Sequence, residues 1–339
     1  RAELVRVNSA EHILLLDMHH IISDGVSIGI LMKEWAALYE EKELAPLKIQ
    51  YKDYSEWQRE SCQKDRLKKQ EEYWLSVFQD AIPVLNMPTD FPRPQMQSYE
   101  GDRIAFAIER ELTDKLKKTA KENGVTMYML LLAGYTILLS KYTGQEDIIV
   151  GSPIAGRTRE ELEQTVGMFV GTLAMRNHPK GGRTFIEYLQ DVKENTFNAY
   201  ENQDYPFDEL VDKLDLERDI SRNALFDTMF DMQALDDAEP DIEGLDVEPV
   251  DLEFQISKFD LSLTAAESAG VITFHLEFCT RLYKKETAET LAQHFVNILR
   301  DISDHPQKPL NEISMLSEEQ RNTVLYQFND TNAEHPSGI

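Results

Sequence analysis

Apolar positions at the start of the chain alternate over residues 3–7 and 12–18 and are separated by the turn-forming Asn8-Ser9, which predicts a β-hairpin. Ile28, Leu31, Met32, Trp35 and Leu38 then recur at helical spacing and predict a helix over 26–41, with that stripe packed on a sheet. A second helix is expected over 66–79, with Tyr73, Trp74 and Phe78 on its apolar side. Four prolines between 83 and 94 continue neither a helix nor a central strand and predict a linker between two lobes. Beyond it, Ile104, Phe106 and Ile108 alternate as a strand. Helices over 112–123 and 127–142 are stopped by Gly124 and Gly144. Strands are expected over 148–150, 168–175, 225–232, 261–265 and 271–278, and helices over 185–200 and 285–302. This interspersion predicts an α/β (α+β) fold with a large central sheet. The acidic stretch 236–248 reads as a solvated loop.

Charge narrows the class of partner. The 339 residues hold 35 basic and 61 acidic side chains, a formal net charge of -26, which opposes phosphate backbones and anionic membranes, so neither nucleic acid nor a membrane is expected as a partner. No window approaches the roughly 18 uninterrupted apolar residues of a membrane span, and Cys62 and Cys279 do not form a disulfide framework. With no signal-peptide pattern, a soluble, cytoplasmic protein is expected.

Chemistry concentrates in His19-His20-Ile21-Ile22-Ser23-Asp24-Gly25, between an apolar strand and a helical pattern. Neighbouring residues on a strand face opposite ways, so one imidazole at most faces a given cleft. That divergence also disfavours the pair as a zinc site, and no metal is expected. Asp24 at the turn holds local geometry, and Gly25 allows close backbone approach, its N–H available to developing negative charge. The combination suits acyl transfer, although a histidine beside a strand is commonly a plain core or surface residue.

Four further segments occur in a telling order: Tyr51-Lys52-Asp53-Tyr54-Ser55-Glu56-Trp57, Val166-Gly167-Met168-Phe169-Val170-Gly171-Thr172-Leu173, Asn202-Gln203-Asp204-Tyr205-Pro206-Phe207-Asp208, and Arg218-Asp219-Ile220-Ser221-Arg222-Asn223-Ala224-Leu225-Phe226-Asp227. With HHIISDG they resemble the ordered motifs YxDYxxW, GxFVNTL, HQDYPFE and RDxSRNPLFD of the condensation domains of nonribosomal peptide synthetases. Gly171, Asn202 and Ala224 stand where the family usually has Asn, His and Pro.

The resemblance implies a two-lobed sandwich like chloramphenicol acetyltransferase, with a substrate tunnel between the lobes. Residues 1–82 would be the remnant of an N-terminal lobe otherwise missing, 83–99 the inter-lobe linker, 100–310 the C-terminal lobe, and 311–339 the linker toward an adenylation domain. The implied reaction is attack by the amine of an acceptor aminoacyl thioester on a donor peptidyl or aminoacyl thioester. Donor and acceptor carrier domains would present both substrates on phosphopantetheine arms, with no cofactor bound to this chain itself. His20 would face the tunnel as base or orienter, Gly25 would donate to the oxyanion, and Asp24 would hold the loop. His19, assigned to folding, would border the tunnel with Ser23, Asp204 and Tyr205. Tyr51, Asp53, Tyr54 and Trp57 read as packing and lobe contacts. The family's RHExLRT segment, which supplies an arginine partner for the residue matching Asp24, is not in this sequence, so Asp24 is expected to lack that partner. Two rival readings are a coenzyme A-dependent acyltransferase of the same superfamily and a non-catalytic scaffold fragment.

Overall fold

The computed structural model describes residues 1–59, 61–217, 219–234, 242, 244–248, 250 and 255–330, with the side chains of 61–64 and 234 left aside. Strands β1 (Ala2–Arg6) and β2 (His12–Leu16) form the expected antiparallel hairpin, in register from Ala2 opposite Leu16 to Arg6 opposite His12. Asn8 shapes its turn, its Oδ1 accepting from the N–H groups of Ala10 and Glu11 at 2.9 and 3.0 Å. β2 ends two residues earlier than expected, because the chain leaves extended pairing to form a 3₁₀ turn at His20–Ile22. Helices α1 (Gly25–Tyr39), α2 (Tyr51–Arg59) and α3 (Ser61–Val77) follow.

After the proline-rich stretch the order is β3 (Gly101–Ile108), α4 (Arg110–Glu122), α5 (Met127–Thr143), β4 (Ile148–Ile154), β5 (Gly171–Asn177), α6 (Phe185–Glu201), α7 (Phe207–Lys213), β6 (Thr228–Ala234), β7 (Leu261–Ser268), β8 (Val271–Cys279) and α8 (Lys285–Asp304). A short helix, α9 (Glu318–Asn322), follows and runs into a π-helical turn at Thr323–Gln327. The strands make one sheet in the order β3-β8-β7-β6-β4-β5, with β6 parallel to β7 and to β4 and the other pairs antiparallel. β4 and β6 meet at a single pair, Gly151 opposite Met229. β5 begins three residues later than the apolar run suggests, since residues 168–170 are used in the site described below. β6 likewise starts at Thr228, because Leu225 and Phe226 are buried outside the ladder and Phe226 packs against Phe207 and Phe259.

Period-two alternation decides which sheet face is covered. Ile272, Phe274, Leu276 and Phe278 of β8 are buried, whereas Thr273, His275 and Glu277 between them are half-buried. Helices α4, α5, α6 and α8 pack on the apolar face. α5 is buried on all sides from Met129 to Leu139, as a helix apolar around its whole circumference must be. Phe295 of α8 meets Phe274 edge-on at 5.5 Å and Tyr135 of α5 at 6.2 Å. Thr184 and Glu187 close a reciprocal capping box at the start of α6. No single helix among the described residues is long and apolar enough to cross a membrane. The acidic stretch falls largely outside the described residues, but Ile242 within it is buried and bridges to Leu245.

Candidate active site

Both imidazoles are exposed, and each is fixed by one hydrogen bond. His19 precedes the 3₁₀ turn with extended backbone, and its Nδ1 accepts from the Ile21 N–H at 3.0 Å. His20 opens the turn, with its Nδ1 at 2.7 Å from the Ser23 carbonyl oxygen. A carbonyl only accepts, so Nδ1 of His20 donates, and the neutral ring carries its lone pair on Nε2. The expectation that strand geometry separates the two rings needs correction: a turn, not a strand, carries them. The buried Ser23 contributes its backbone carbonyl to this arrangement.

Asp24 is the N-cap of α1, with Oδ1 accepting from Ser27 N–H at 2.8 Å. The RHExLRT arginine is not in this sequence, and a different arginine pairs with Asp24. Arg157, just past β4, forms a bidentate pair with it, Nη1 to Oδ2 at 2.8 Å and Nη2 to Oδ1 at 3.0 Å. Phe169 N–H also donates to Oδ2 at 3.0 Å. Burial pushes the Asp24 carboxyl up, but the bonds from Arg157, Ser27 and Phe169 outweigh it and bring the value down to about 2. Asp24 is thus a fixed anion at the start of α1. Gly25, the first residue of α1, is exposed, and a Cβ built there would meet nothing within 4 Å. Its N–H belongs to the first turn of a helix, where backbone donors lack intrahelical acceptors and the dipole favours negative charge.

Three residues outside the expected set complete the frame. Ser27 is fully buried, its Oγ accepting from Gly167 N–H at 3.0 Å and lying 2.9 Å from the Gly167 carbonyl and 2.7 Å from Asp24 Oδ1. Asp24 Oδ1 is the nearer and the charged acceptor, so the single hydroxyl proton goes to it, while Arg157 Nη2 donates to the same Oγ at 3.1 Å. Ser27 thus ties the Asp24 carboxylate to the backbone N–H of Gly167. Tyr51 donates to the Met168 carbonyl at 2.9 Å, and its ring occupies the space where a Cβ on Gly167 would stand, 2.2 Å away. Arg157 lies over the Phe169 ring at 4.4 Å, while the rings of Tyr51 and Tyr54 meet Phe169 at 5.0 and 4.9 Å. Gly156 takes φ 65, and its missing Cβ would sit 1.9 Å from the Phe169 carbonyl oxygen, so only glycine lets the chain turn into Arg157 here. The YKDYSEW and VGMFVG segments, read separately as motifs, therefore pack on one another.

Asp204 and Tyr205 are placed elsewhere, between α6 and α7. Asp204 pairs with Arg66 and accepts from Gln70 Nε2 at 3.2 Å, and the buried Tyr205 donates to Glu71 at 3.0 Å. Trp74 Nε1 donates to the Asn202 carbonyl at 2.8 Å. These side chains clasp one stripe of α3, and no described hydrogen bond or ion pair joins them to the histidine turn.

Two cavities lie against strands of the six-stranded sheet. One of about 440 Å³ lies on the half-buried face of the sheet, bordered by Pro153, Met229, Asp231, Thr264 and Glu277. Burial pushes up the carboxyls of Asp231 and Glu277. From Pro153 the chain runs four residues to Arg157, so one segment borders this cavity and clamps Asp24. The other, about 570 Å³, lies along the Arg222–Asp227 loop. Burial and neighbouring Asp260 raise Asp227 to about 6, against the pull of Arg222 at 2.5 Å. Among the described residues no three His, Cys, Asp or Glu side chains are grouped to hold a metal. Cys279 is buried and free.

Residues 1–325 match the family model described as "Condensation domain". Across all 339 residues the chain is 96% identical to Bacitracin synthase 2 of Bacillus licheniformis, of which it spans 13%. It is 50% identical over 338 residues to Gramicidin S synthase 2 of Brevibacillus brevis and spans 8% of it. Among solved structures, the X-domain from teicoplanin biosynthesis superposes with a TM-score of 0.83 at 23% identity, covering 93% of this chain and 74% of that one. A four-domain nonribosomal peptide synthetase bound to AMP and glycine superposes with a TM-score of 0.81 at 21% identity, covering 95% of this chain and 26% of that one. At those identities the superpositions show a shared fold.

Proposed function

The chain belongs to the condensation-domain family, and on that premise we propose that it forms the amide bond between two carrier-bound thioester substrates, with His20 as the group that handles the amine proton. The observation that carries this reading is the bond from His20 Nδ1 to the Ser23 carbonyl, 2.7 Å, on an exposed ring. It sets the tautomer whose Nε2 can accept a proton. The acceptor amine attacks the donor carbonyl carbon, and its proton passes to Nε2. The carbon–sulfur bond breaks, and the same proton leaves with the thiolate. Negative charge gathers on the carbonyl oxygen in between, where the Gly25 N–H at the start of α1 is suited to receive it. Asp24 acts through position: with Arg157 and Ser27 it holds the turn that presents both groups.

In the same reading, residues 1–82 belong to one lobe, 83–99 to the linker, 100–310 to a second lobe, and 311–339 lead toward an adenylation domain. The half-buried sheet face and its 440 Å³ cavity border the substrate passage. Phosphopantetheine enters as part of each substrate, carried by partner carrier domains, and the work takes place in the cytoplasm. The test is dipeptide formation by the complete domain with both carriers loaded. His20→Ala is expected to lower the rate by about 100-fold to 10,000-fold while carrier loading is unchanged. Undiminished product overturns the assignment. A donor linked to coenzyme A that reacts as well as its carrier-linked counterpart favours the acyltransferase alternative.

A further inference from the structure

None of the nine residues of α2 is buried, so the helix does not serve the core. Its aromatic side chains instead form a ladder at intervals of three residues, with ring centroids of Tyr51 and Tyr54 at 5.9 Å and of Tyr54 and Trp57 at 5.8 Å. The ladder grips one segment, the loop that joins β4 to β5, at two places. At one, Tyr51 and Tyr54 hold Gly167, Met168 and Phe169 by the contacts described for the site. At the other, the half-buried Trp57 carries the exposed guanidinium of Arg159 over its ring, 4.3 Å from the centroid.

Between those two grips the chain forms a closed arm. It passes through a 3₁₀ turn at Glu160–Leu162, buries Leu162 and Thr165, and is shut by Arg157, whose Nη2 donates to the Thr165 carbonyl at 3.1 Å. The same guanidinium pairs with Asp24, and Phe169 N–H donates to that carboxylate as well. The arm thus joins α2 to the start of α1: α2 holds it at Arg159 and at 167–169, and it holds Asp24 through Arg157 and Phe169. Long connections between strands are mobile unless something covers them, and an aromatic ladder on a helix supplies that cover here.

We infer that the ladder of Tyr51, Tyr54 and Trp57 is a positioning device for condensation. It fixes the 157–169 arm, the arm fixes Asp24, and Asp24 sets where the His20 ring and the Gly25 N–H stand. The three aromatic residues act through other groups, as positioning residues, and the inference rests on the role given to His20 above. Among the described residues no hydrogen bond or ion pair joins Trp57 or Arg159 to Asp24, so their contact is the part of the device that is removed without touching the carboxylate.

The test is dipeptide formation by the complete domain with both carriers loaded, in H20A, W57A, W57F, R159A and the double variant W57A/R159A. W57A and R159A are each expected to lower kcat by about 10-fold, with KM for the loaded carriers within about 2-fold, because small displacements remote from the chemistry are costly. W57F keeps an aromatic face and is expected to recover most of the rate, and the double variant is expected to fall no further than either single one. Amide hydrogen exchange in R159A is expected to rise at 19–28 while α5 stays protected. R159A, at an exposed position, tests the same contact should W57A fail to fold. Additive losses in the double variant, a rise in KM that accounts for the loss, W57F as slow as W57A, or unchanged exchange at 19–28 would each overturn the inference. A normal rate in R159A beside an inactive H20A overturns it and leaves the role of His20 intact, whereas full activity in H20A overturns both.

Discussion

The hairpin-bearing region and the six-stranded region solve opposite problems. β1 is exposed along its whole length, and Leu4, Val7, Leu15 and Leu16 face solvent. β4 and β5 are nearly all interior, beneath a helix buried on every side. Yet the imidazole proposed to act on substrate stands on the thin, exposed region. The contrast shows that rigidity of the site is imported. Arg157 and the Gly167–Phe169 segment, anchored on β4 and β5, reach across and fix Asp24, Ser27 and Tyr51, and through them the turn that bears His20.

Cutting that import breaks the contrast most severely. Arg157→Ala leaves Asp24 charged and buried without its cation, a loss expected at about 3–5 kcal/mol. Urea unfolding should register it, and hydrogen exchange should rise at 19–28 and 165–170 while α5 stays protected. Uniform loosening of α5 would show that the two regions are not distinct in this way. Ser27→Ala is milder, leaving the Gly167 N–H without its partner and Asp24 without one donor, at a cost of about 1–3 kcal/mol. Condensation rate is expected to fall with substrate affinity little changed, since the hydroxyl positions the turn and does not touch substrate.

Acid titration sharpens the comparison, because the two regions respond with opposite sign. Asp24 is held at about 2 in the folded chain, below its ordinary 3.8, so the stability it contributes is complete above pH 3.8 and is lost as pH falls toward 2. The amount is about 2 kcal/mol. Asp227 is raised to about 6, so its contribution is complete below pH 3.8 and is lost as pH rises through 6. Denaturation midpoints across pH 2–7 are expected to lose the low-pH fall in Asp24→Asn and the fall toward pH 6 in Asp227→Asn. An unchanged profile in either variant refutes the corresponding attribution.

Much of this architecture was legible in the order of residues. Alternation located the hairpin and β3, β7 and β8, and helical spacing located α1, α5, α6 and α8, because those patterns report burial directly. Errors gathered at the histidine turn and at the starts of β5 and β6, where apolar residues serve a junction and not a ladder. Arg157 could not be found locally, since Gly156-Arg157-Thr158-Arg159 gives no sign of which arginine turns inward. Ser27 was hidden because a serine early in a helix normally reads as surface. The available clue was pairwise: YKDYSEW and VGMFVG each carried aromatic or glycine residues unexplained on their own, and they explain each other.

The lone pair of residues joining β4 to β6 has a consequence for how the sheet moves. Each strand has seven residues, yet Gly151 and Met229 alone are matched, so the sheet amounts to two ribbons laid side by side. What stitches them is α5, whose Tyr128 donates to Ser152 on one ribbon at 2.8 Å while Tyr135 bonds Thr228 on the other. Two tyrosine hydroxyls on a single rod thus keep the ribbon that ends in Arg157 aligned with the rest of the molecule.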